Sequence, residues 1–358
     1  MGIIAGAIGL ADSDRSFVNV IGQEVVYTAT MAILDRYNED LSLLKPMFIG
    51  VTNDVFKSRF KLPGGGYLQR RSTQGTPGSM KAYGGYDVAY PLEDFGSRIS
   101  TDDVAMGYMR IDEWDRHVKS VFIQDANTVR FELMRVLLNN TARSFEDAIN
   151  GTLSCQVLAN NDSVTYPPVL GSTVDATENH YLVSNYVTGS ISDVNNPLPT
   201  IRNEIEEHFG VKTGGENIAV LIHPDETAKI QALTEFVEVP DRFIVLGDNT
   251  AYPERLPSVP GRILGRSNGC WVSEWRNIPS GYLVGVHLEE DPPLQERIDP
   301  ADTGLAGGLQ LVARDRQYPF TDFTWRHRFG FAAKNRLNGV VMQLKASGSY
   351  DVPAGYSW

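Results

Sequence analysis

Cysteine is almost absent: Cys155 and Cys270 are the only two in 358 residues. That excludes a disulfide framework and any CxxC metal or redox pair, and it points to a reducing, intracellular setting. Long apolar runs are missing too. The opening "MGIIAGAIGLA" is apolar, but it is too short to span a bilayer and no basic residue precedes Arg15. Neither a membrane anchor nor a secretory signal is expected. Without secretion, the glycosylation patterns at Asn139 and Asn150 carry no meaning. Positive charge is in deficit, with 32 Lys and Arg against 44 Asp and Glu, a net charge of −12 and a pI near 5.0. Gripping nucleic acid by phosphate neutralisation needs a basic face. The densest basic stretches, "LQRRS" (68–72) and "WRHRF" (325–329), are short.

A catalytic kit is also lacking. The six histidines (His117, His180, His208, His223, His287, His327) form no HxH or HExxH spacing, so no metal site is expected. "GRSNG" (265–269) has the letters of a GxSxG nucleophile elbow around Ser267. That elbow needs a helix after the turn, whereas "CWVSEW" reads as a strand and Ser-Asn-Gly as a hairpin turn. "LPGGGY" lacks the Lys-Ser/Thr pair and the following helix of a phosphate loop. "HPDET" gathers His223, Asp225 and Glu226, but Pro in a first turn with carboxylates at the positive end of the dipole is an ordinary helix start. No spacing pairs two carboxylates for acid–base work. No catalytic residue, cofactor or metal is assigned, and the chain is not read as an enzyme.

What is present is a layout. With 42% hydrophobic and 21% charged residues, the chain is globular and long enough for a substantial core. Residues 16–44 have helical spacing, with Phe17, Ile21, Val25, Thr28 and Ala32 on one face and Pro46 behind. From Asp112 to Asn140 no Gly or Pro interrupts a helix pattern carried by Trp114, Val118, Val121, Phe122, Val129, Leu133, Val136 and Leu137. Such a helix is a rod of roughly 40 Å, far above the average of about 11–12 residues. "ARSFEDAIN" is read as its continuation, stopped by Gly151. Residues 161–196 read as loops and short strands. From Pro197 a compact α/β unit is expected, with helices at "NPLPTIRNEIEEHFG" and "HPDETAKIQAL" and strands at "NIAVLI", "FIVL", "CWVSEW" and "GYLVGVHL". Alternation in "LQLVARDRQYPFTDFTWRHRFGF" predicts long antiparallel strands, and "NGVVMQL" a strand returning to the α/β unit.

One stretch cannot make a core of its own. Residues 60–90, "FKLPGGGYLQRRSTQGTPGSMKAYGGYDVAY", hold seven glycines and two prolines and almost no aliphatic side chains. Ordering a backbone costs roughly 1–2 kcal/mol per residue, on the order of 30–60 kcal/mol here. Strand signals at "VFKSRFKL" and "YDVAYPL", with the interface-prone residues Tyr67, Arg70, Arg71, Tyr83, Tyr86 and Tyr90, favour a two-stranded arm ordered by other chains over a disordered loop.

Taken in order, these parts resemble the major capsid proteins of tailed bacteriophages, the fold named after phage Hong Kong 97. That fold has an N-terminal arm, an extended hairpin called the E-loop, a peripheral domain with a long spine helix and β-sheet, and an axial α/β domain. The most specific similarity lies in "IAVLIHPDETAKIQAL", "IPSGYLVGV", "PLQERID" and "TWRHRFGFAAKNRLNGVVMQL". The resemblance implies an α+β fold divided as 1–52 N-arm, 53–100 E-loop with flanking strands, 101–190 peripheral domain with spine helix 112–140, 191–290 axial domain, 291–330 peripheral strands, and 331–358 axial return and tail. It implies inter-subunit contacts from Lys61, Tyr67, Arg70, Arg71, Lys81, Tyr83 and Tyr86 of the E-loop, and from Phe17, Ile21 and Val25 of the N-arm.

The function implied is self-assembly into the hexamers and pentamers of an icosahedral head around double-stranded DNA, in the virion after assembly in host cytoplasm. The partners implied are a separate scaffolding protein, a portal, a decoration protein and DNA held without sequence-specific binding, with no membrane. Too little chain precedes the arm for the founding member's removable scaffolding segment, unless a precursor is trimmed before this numbering. The founding member's Lys–Asn cross-link would fall on Lys61 or Lys81 and Asn335 or Asn338; these are read here as ordinary surface residues. An encapsulin-like compartment shell, an α/β-type hydrolase using Ser267 and a non-assembling binding module stay open as alternatives.

Overall fold

A computed structural model of the chain describes residues 17–44, 49–62, 83–100, 108–169, 176–207, 217–239, 260–300, 307–313 and 322–358, with 68, 105 and 172 singly. The chain divides into two compact units. The first comprises residues 1–45, 92–132 and 297–330; the second comprises 46–91, 133–296 and 331–358.

In the first unit, the N-terminal helical region is split at Gly22 into Val18–Ile21 and Gln23–Leu44. Gly22 has φ +96°, a conformation costly for any residue with a Cβ, so the single helix expected from 16 to 44 does not form. Beyond the break Val26, Thr30 and Leu34 are buried, the i, i+4, i+8 stripe of a half-buried helix. The face expected from spacing, with Val25, Thr28 and Ala32, points outward.

The long helix is Ile111–Leu138, close to the expected 112–140. Within the first unit it buries Ile111, Trp114, Val118 and Val121 with Val26, Leu34, Phe323 and Trp325. Its exposed side is braced by Arg116–Asp112 (2.7 Å) and Lys119–Asp115 (2.5 Å), i,i+4 pairs worth a few tenths of a kcal/mol each. Opposite it, the long strand Asp322–Ala333 runs between Leu309–Ala313 and Glu93–Ser100, with Trp325 facing Leu311 on one side and Ser97 on the other. Phe323, Trp325, His327 and Phe329 are buried at period two, as the alternation predicts.

The second unit is built on a seven-stranded sheet in the order Val237–Glu238, Arg262–Ser267, Cys270–Glu274, Ile218–Ile222, Tyr282–His287, Gly339–Gln343, Tyr181–Val183. Ile218–Ile222, Tyr282–His287 and Gly339–Gln343 are buried at every residue, which accounts for their unbroken apolar runs. The returning strand pairs as expected, with Val341 opposite Val284. Helix Pro197–Glu206 starts on Asn196, whose Oδ1 accepts from the Leu198 backbone N at 3.0 Å. It buries Leu198, Ile201 and Ile205 against the sheet. Its approach is set by Gly285, where a Cβ would lie 2.3 Å from Ile201 Cγ2.

Two expectations are altered further on. Residues 143–147 do not prolong the long helix; Arg143–Asp147 and Gly151–Cys155 form an antiparallel hairpin. The helix stops because Tyr350 Oη donates to Leu138 O (2.7 Å), and Asn139 Oδ1 accepts from the Thr141 backbone N (3.2 Å), turning the chain. The expected strand "FIVL" (243–246), Phe209 and Gly210 lie outside the described residues.

Candidate assembly surfaces

The base of the arm is a hairpin of Phe56–Leu62 with Tyr83–Ala89, in which Phe60 faces Tyr86. The first strand falls at the expected "VFKSRFKL", while the second, expected at 86–92, lies three residues earlier. Their apolar side chains do not reach outward. Phe60, Tyr86, Val88 and Tyr90 pack with Cys155, Tyr166, Ala332 and Leu337 of the same unit. The Phe60 and Tyr86 rings sit 5.4 Å apart. The ammonium groups of Lys57 and Lys334 lie 5.3 and 5.6 Å from the Phe60 ring, and the Arg336 guanidinium 4.3 Å from that of Tyr86, cation–π geometry. Tyr86 Oη donates to Lys334 O at 2.9 Å. Burial pushes the Tyr86 hydroxyl up to about 12, with the Arg336 charge opposing it. At 5% exposure, Tyr86 is packed into the second unit's own core.

Of the other arm residues singled out above, Tyr67, Arg70, Arg71 and Lys81 lie outside the described residues, and Lys61 and Tyr83 are described only as strand backbone. The arm residue that spacing did not flag is Leu68, 89% exposed. Its signal was present, since a lone aliphatic in a glycine-rich arm has no core of its own to join.

At the N-terminus, Phe17 and Val25 are 37% and 44% exposed, and Val20, also unflagged, is 78% exposed. Ile21 instead packs on the first unit's own core. The outward residues are placed by Val18, which is buried while its backbone N donates to Met109 O at 3.0 Å. The asparagines considered for a cross-link are both buried. Asn338 accepts from the His287 backbone N (3.1 Å) and donates to His287 O and Asp291 O (3.0 Å each). Asn335 donates to Asp291 O at 3.3 Å. They fasten the turn after the long strand and are not the surface residues expected.

The motifs with catalytic letters have structural roles. Ser267 is buried and ends a strand; Asn268 and Gly269, at φ +50° and +83°, turn it back into Cys270–Glu274. No helix follows, so the elbow geometry is absent and the hydrolase reading fails on this motif. "HPDET" opens helix Pro224–Gln231, with His223 as N-cap accepting from the Asp225 backbone N. Glu226 is fully buried, its Oε1 accepting from the Gly281 backbone N (2.8 Å) and Thr188 Oγ1 (3.2 Å). Desolvation raises its pKa against the lowering by those bonds and by His223. Both cysteines are buried, and burial pushes the Cys270 thiol up to about 12. Among the described residues no group of His, Cys, Asp and Glu is gathered to hold a metal, and no helix is long and apolar enough to cross a membrane.

No family model matches the chain, and no curated protein does. Solved structures do. A chain of Mycobacterium phage Patience superposes with a TM-score of 0.65 at 22% identity, covering 93% of this chain and 92% of that one. Weaker similarities are to the mature capsid of bacteriophage PhiM1 (TM-score 0.46, 9% identity, 83% and 84% covered) and the capsid of the empty GTA particle (0.44, 11%, 84% and 88%). The chain thus shares its fold with a protein of the Patience phage: a mixed α+β fold of the Hong Kong 97 type, with the hairpin base, long helix, α/β unit and long strand following one another in the expected order.

Proposed function

We propose that this chain is a shell subunit, the major capsid protein of a tailed phage, which assembles into hexamers and pentamers around double-stranded DNA. The carrying observation is the shared fold over nearly the full length of both chains. Fold alone does not fix function, and the surfaces add to it. Phe17, Val20, Val25 and Leu68 are exposed apolar side chains on the two segments, arm and N-terminus, not covered by the described residues. In this reading residues 191–290 with the return 331–358 form the axial domain that closes rings, 101–190 and 291–330 form the peripheral domain, and the hairpin extends from its packed base over a neighbour. Repeated contacts with closed symmetry then generate a container. The location is the virion, and the partners are copies of itself, a scaffolding protein, a portal, a decoration protein and packaged DNA.

Expression of the full chain, alone and with the products of adjacent genes, followed by negative-stain microscopy tests this. Closed shells or ring-shaped capsomers are expected. A light-scattering mass of one subunit under every condition overturns the proposal. Shells that enclose a cargo enzyme in place of DNA replace it with the encapsulin-like reading.

A further inference from the structure

Asn-Gly occurs three times in this chain, at 150–151, 268–269 and 338–339, and the three pairs sit in different surroundings. Asn338 is fully buried with both ends of its carboxamide bonded: Oδ1 accepts from the His287 backbone N, while Nδ2 donates to His287 O and Asp291 O. Asn268 is also held at both ends. Its Oδ1 accepts from Asn196 Nδ2 (2.7 Å) and Ser267 Oγ (3.0 Å), and its Nδ2 donates to Glu235 Oε2 (2.6 Å). Asn150 stands on the tip of the hairpin Arg143–Asp147/Gly151–Cys155, where residues 148–152 are all exposed. Only its Nδ2 is bonded among the described residues, to Asp147 Oδ2 at 2.9 Å. The same Oδ2 accepts from the backbone N of Ile149 (3.1 Å) and of Asn150 (2.9 Å), which fixes the turn. Gly151 follows at φ +72°, with nothing within 4 Å of where a Cβ would lie.

We propose that Asn150–Gly151 is a self-modification site, at which Asn150 deamidates through a cyclic imide while the other two pairs are protected by the fold. The Gly151 backbone nitrogen gives up its proton and attacks Asn150 Cγ. The Cγ–Nδ2 bond breaks, and ammonia leaves with that proton, closing a five-membered succinimide. Water then opens either carbonyl, giving aspartate or isoaspartate. The balance is amide plus water to acid plus ammonia, with no change of oxidation state. An intramolecular reaction of this kind is governed by how freely the two groups reach attack geometry. A solvent-facing carboxamide, free at Oδ1 and followed by a residue without a side chain, reaches it. A carboxamide bonded at both ends must break those bonds first. Exposed loop tips are where such changes concentrate. The product also acts back on the hairpin. An aspartate at 150 sets a carboxylate against Asp147 where a hydrogen bond stood. An isoaspartate lengthens the main chain beside the Asp147–Gly151 pair that closes the ladder.

Peptide mapping by mass spectrometry tests this on the folded full-length protein, incubated at mildly alkaline pH and sampled over days. The same protein in concentrated urea serves as the unprotected reference, and Asn150→Gln as the sequence control. In the folded state the Asn150 peptide is expected to convert roughly tenfold or more faster than those of Asn268 and Asn338. In urea the three rates converge, and in Asn150→Gln the turn peptide stays unmodified. Folded-state conversion of Asn150 no faster than that of Asn268 or Asn338 overturns the proposal, as does a turn peptide that stays intact while the urea sample converts. Neither outcome depends on whether the chain builds shells.

Discussion

Two buried carboxylates are held in opposite ways. Asp125, in the first unit, has one donor for each oxygen: Tyr37 Oη at 2.8 Å and His327 Nδ1 at 2.7 Å. A carboxylate only accepts, so Nδ1 carries the proton. Tyr37 also stacks on Phe122 at 4.5 Å, and its hydroxyl pKa is pushed upward by burial first and by Asp125 second. Removing the hydroxyl with Tyr37→Phe leaves Asp125 with one donor; the expected loss is about 1–3 kcal/mol of unfolding free energy, read as a lower denaturant midpoint at unchanged m. A variant as stable as the wild type would mean that water takes over the bond. Glu226 is the reverse case. Thr188 and Gly281 both donate to Oε1, while buried Oε2 accepts no hydrogen bond among the described residues and has His223 Nδ1 4.0 Å away. Its folded pKa is raised, so its contribution to stability is present below the unfolded value of about 4.3 and is lost as pH rises through the folded one. Glu226→Gln should therefore melt higher than wild type near neutral pH, with the gap closing as the pH is lowered towards 4. A constant gap across that range would show that the side chain's charge is not the cause.

At the scale of elements, legibility followed the strength of the local pattern. The long helix was readable because its apolar residues recur at three- and four-residue steps with no breaker from Asp112 to Asn140. The central strands of the second unit were readable from runs buried on both faces. The errors fell where a tertiary contact overrides the local pattern. "ARSFEDAIN" suits a helix until Tyr350, distant in sequence, binds Leu138 O and Asn139 turns the chain. In the N-terminal region, spacing predicted one helix with Val25, Thr28 and Ala32 on its inner face; the chain breaks at Gly22 and buries Val26, Thr30 and Leu34 instead. Gly285 is a packing constraint that no periodicity reveals. Gly285→Ala pushes a methyl carbon into Ile201 and Ile205, and overpacking of this kind costs about 1–3 kcal/mol. Chemical denaturation should show the loss, and Gly285→Ala should cost less when made together with Ile201→Ala, which removes the clashing Cγ2 and so recovers part of the packing. No recovery would place the strain elsewhere than in the contact of helix Pro197–Glu206 with the sheet.

For the whole molecule, the decisive question is why apolar side chains are displayed where none of the described residues covers them. The root of the hairpin packs within its own unit through Phe60, Tyr86 and Val88. That root was legible as strand signals flanking a glycine-rich run; that Tyr86 would turn inward was not, because the core it joins comes from residues far along the chain. The N-terminal residues divide similarly: Val18 and Ile21 belong to the subunit, while Phe17, Val20 and Val25 do not. If the outward set exists for assembly, charging it must leave the fold untouched and block association. Val20→Asp combined with Val25→Asp changes only exposed positions, and surface substitutions usually move stability within about 0.5 kcal/mol. The double variant should therefore melt with the wild type, yet remain as free subunits by light scattering where wild type forms rings or shells. The hairpin variant Leu68→Asp should do the same through the arm. Val18→Asp is the contrasting change: it puts a charge into the first unit's core and should lower stability itself. Shells formed at the wild-type yield by both outward variants would mean that these residues are not contacts, and the assembly surface would have to lie on other parts of the two units.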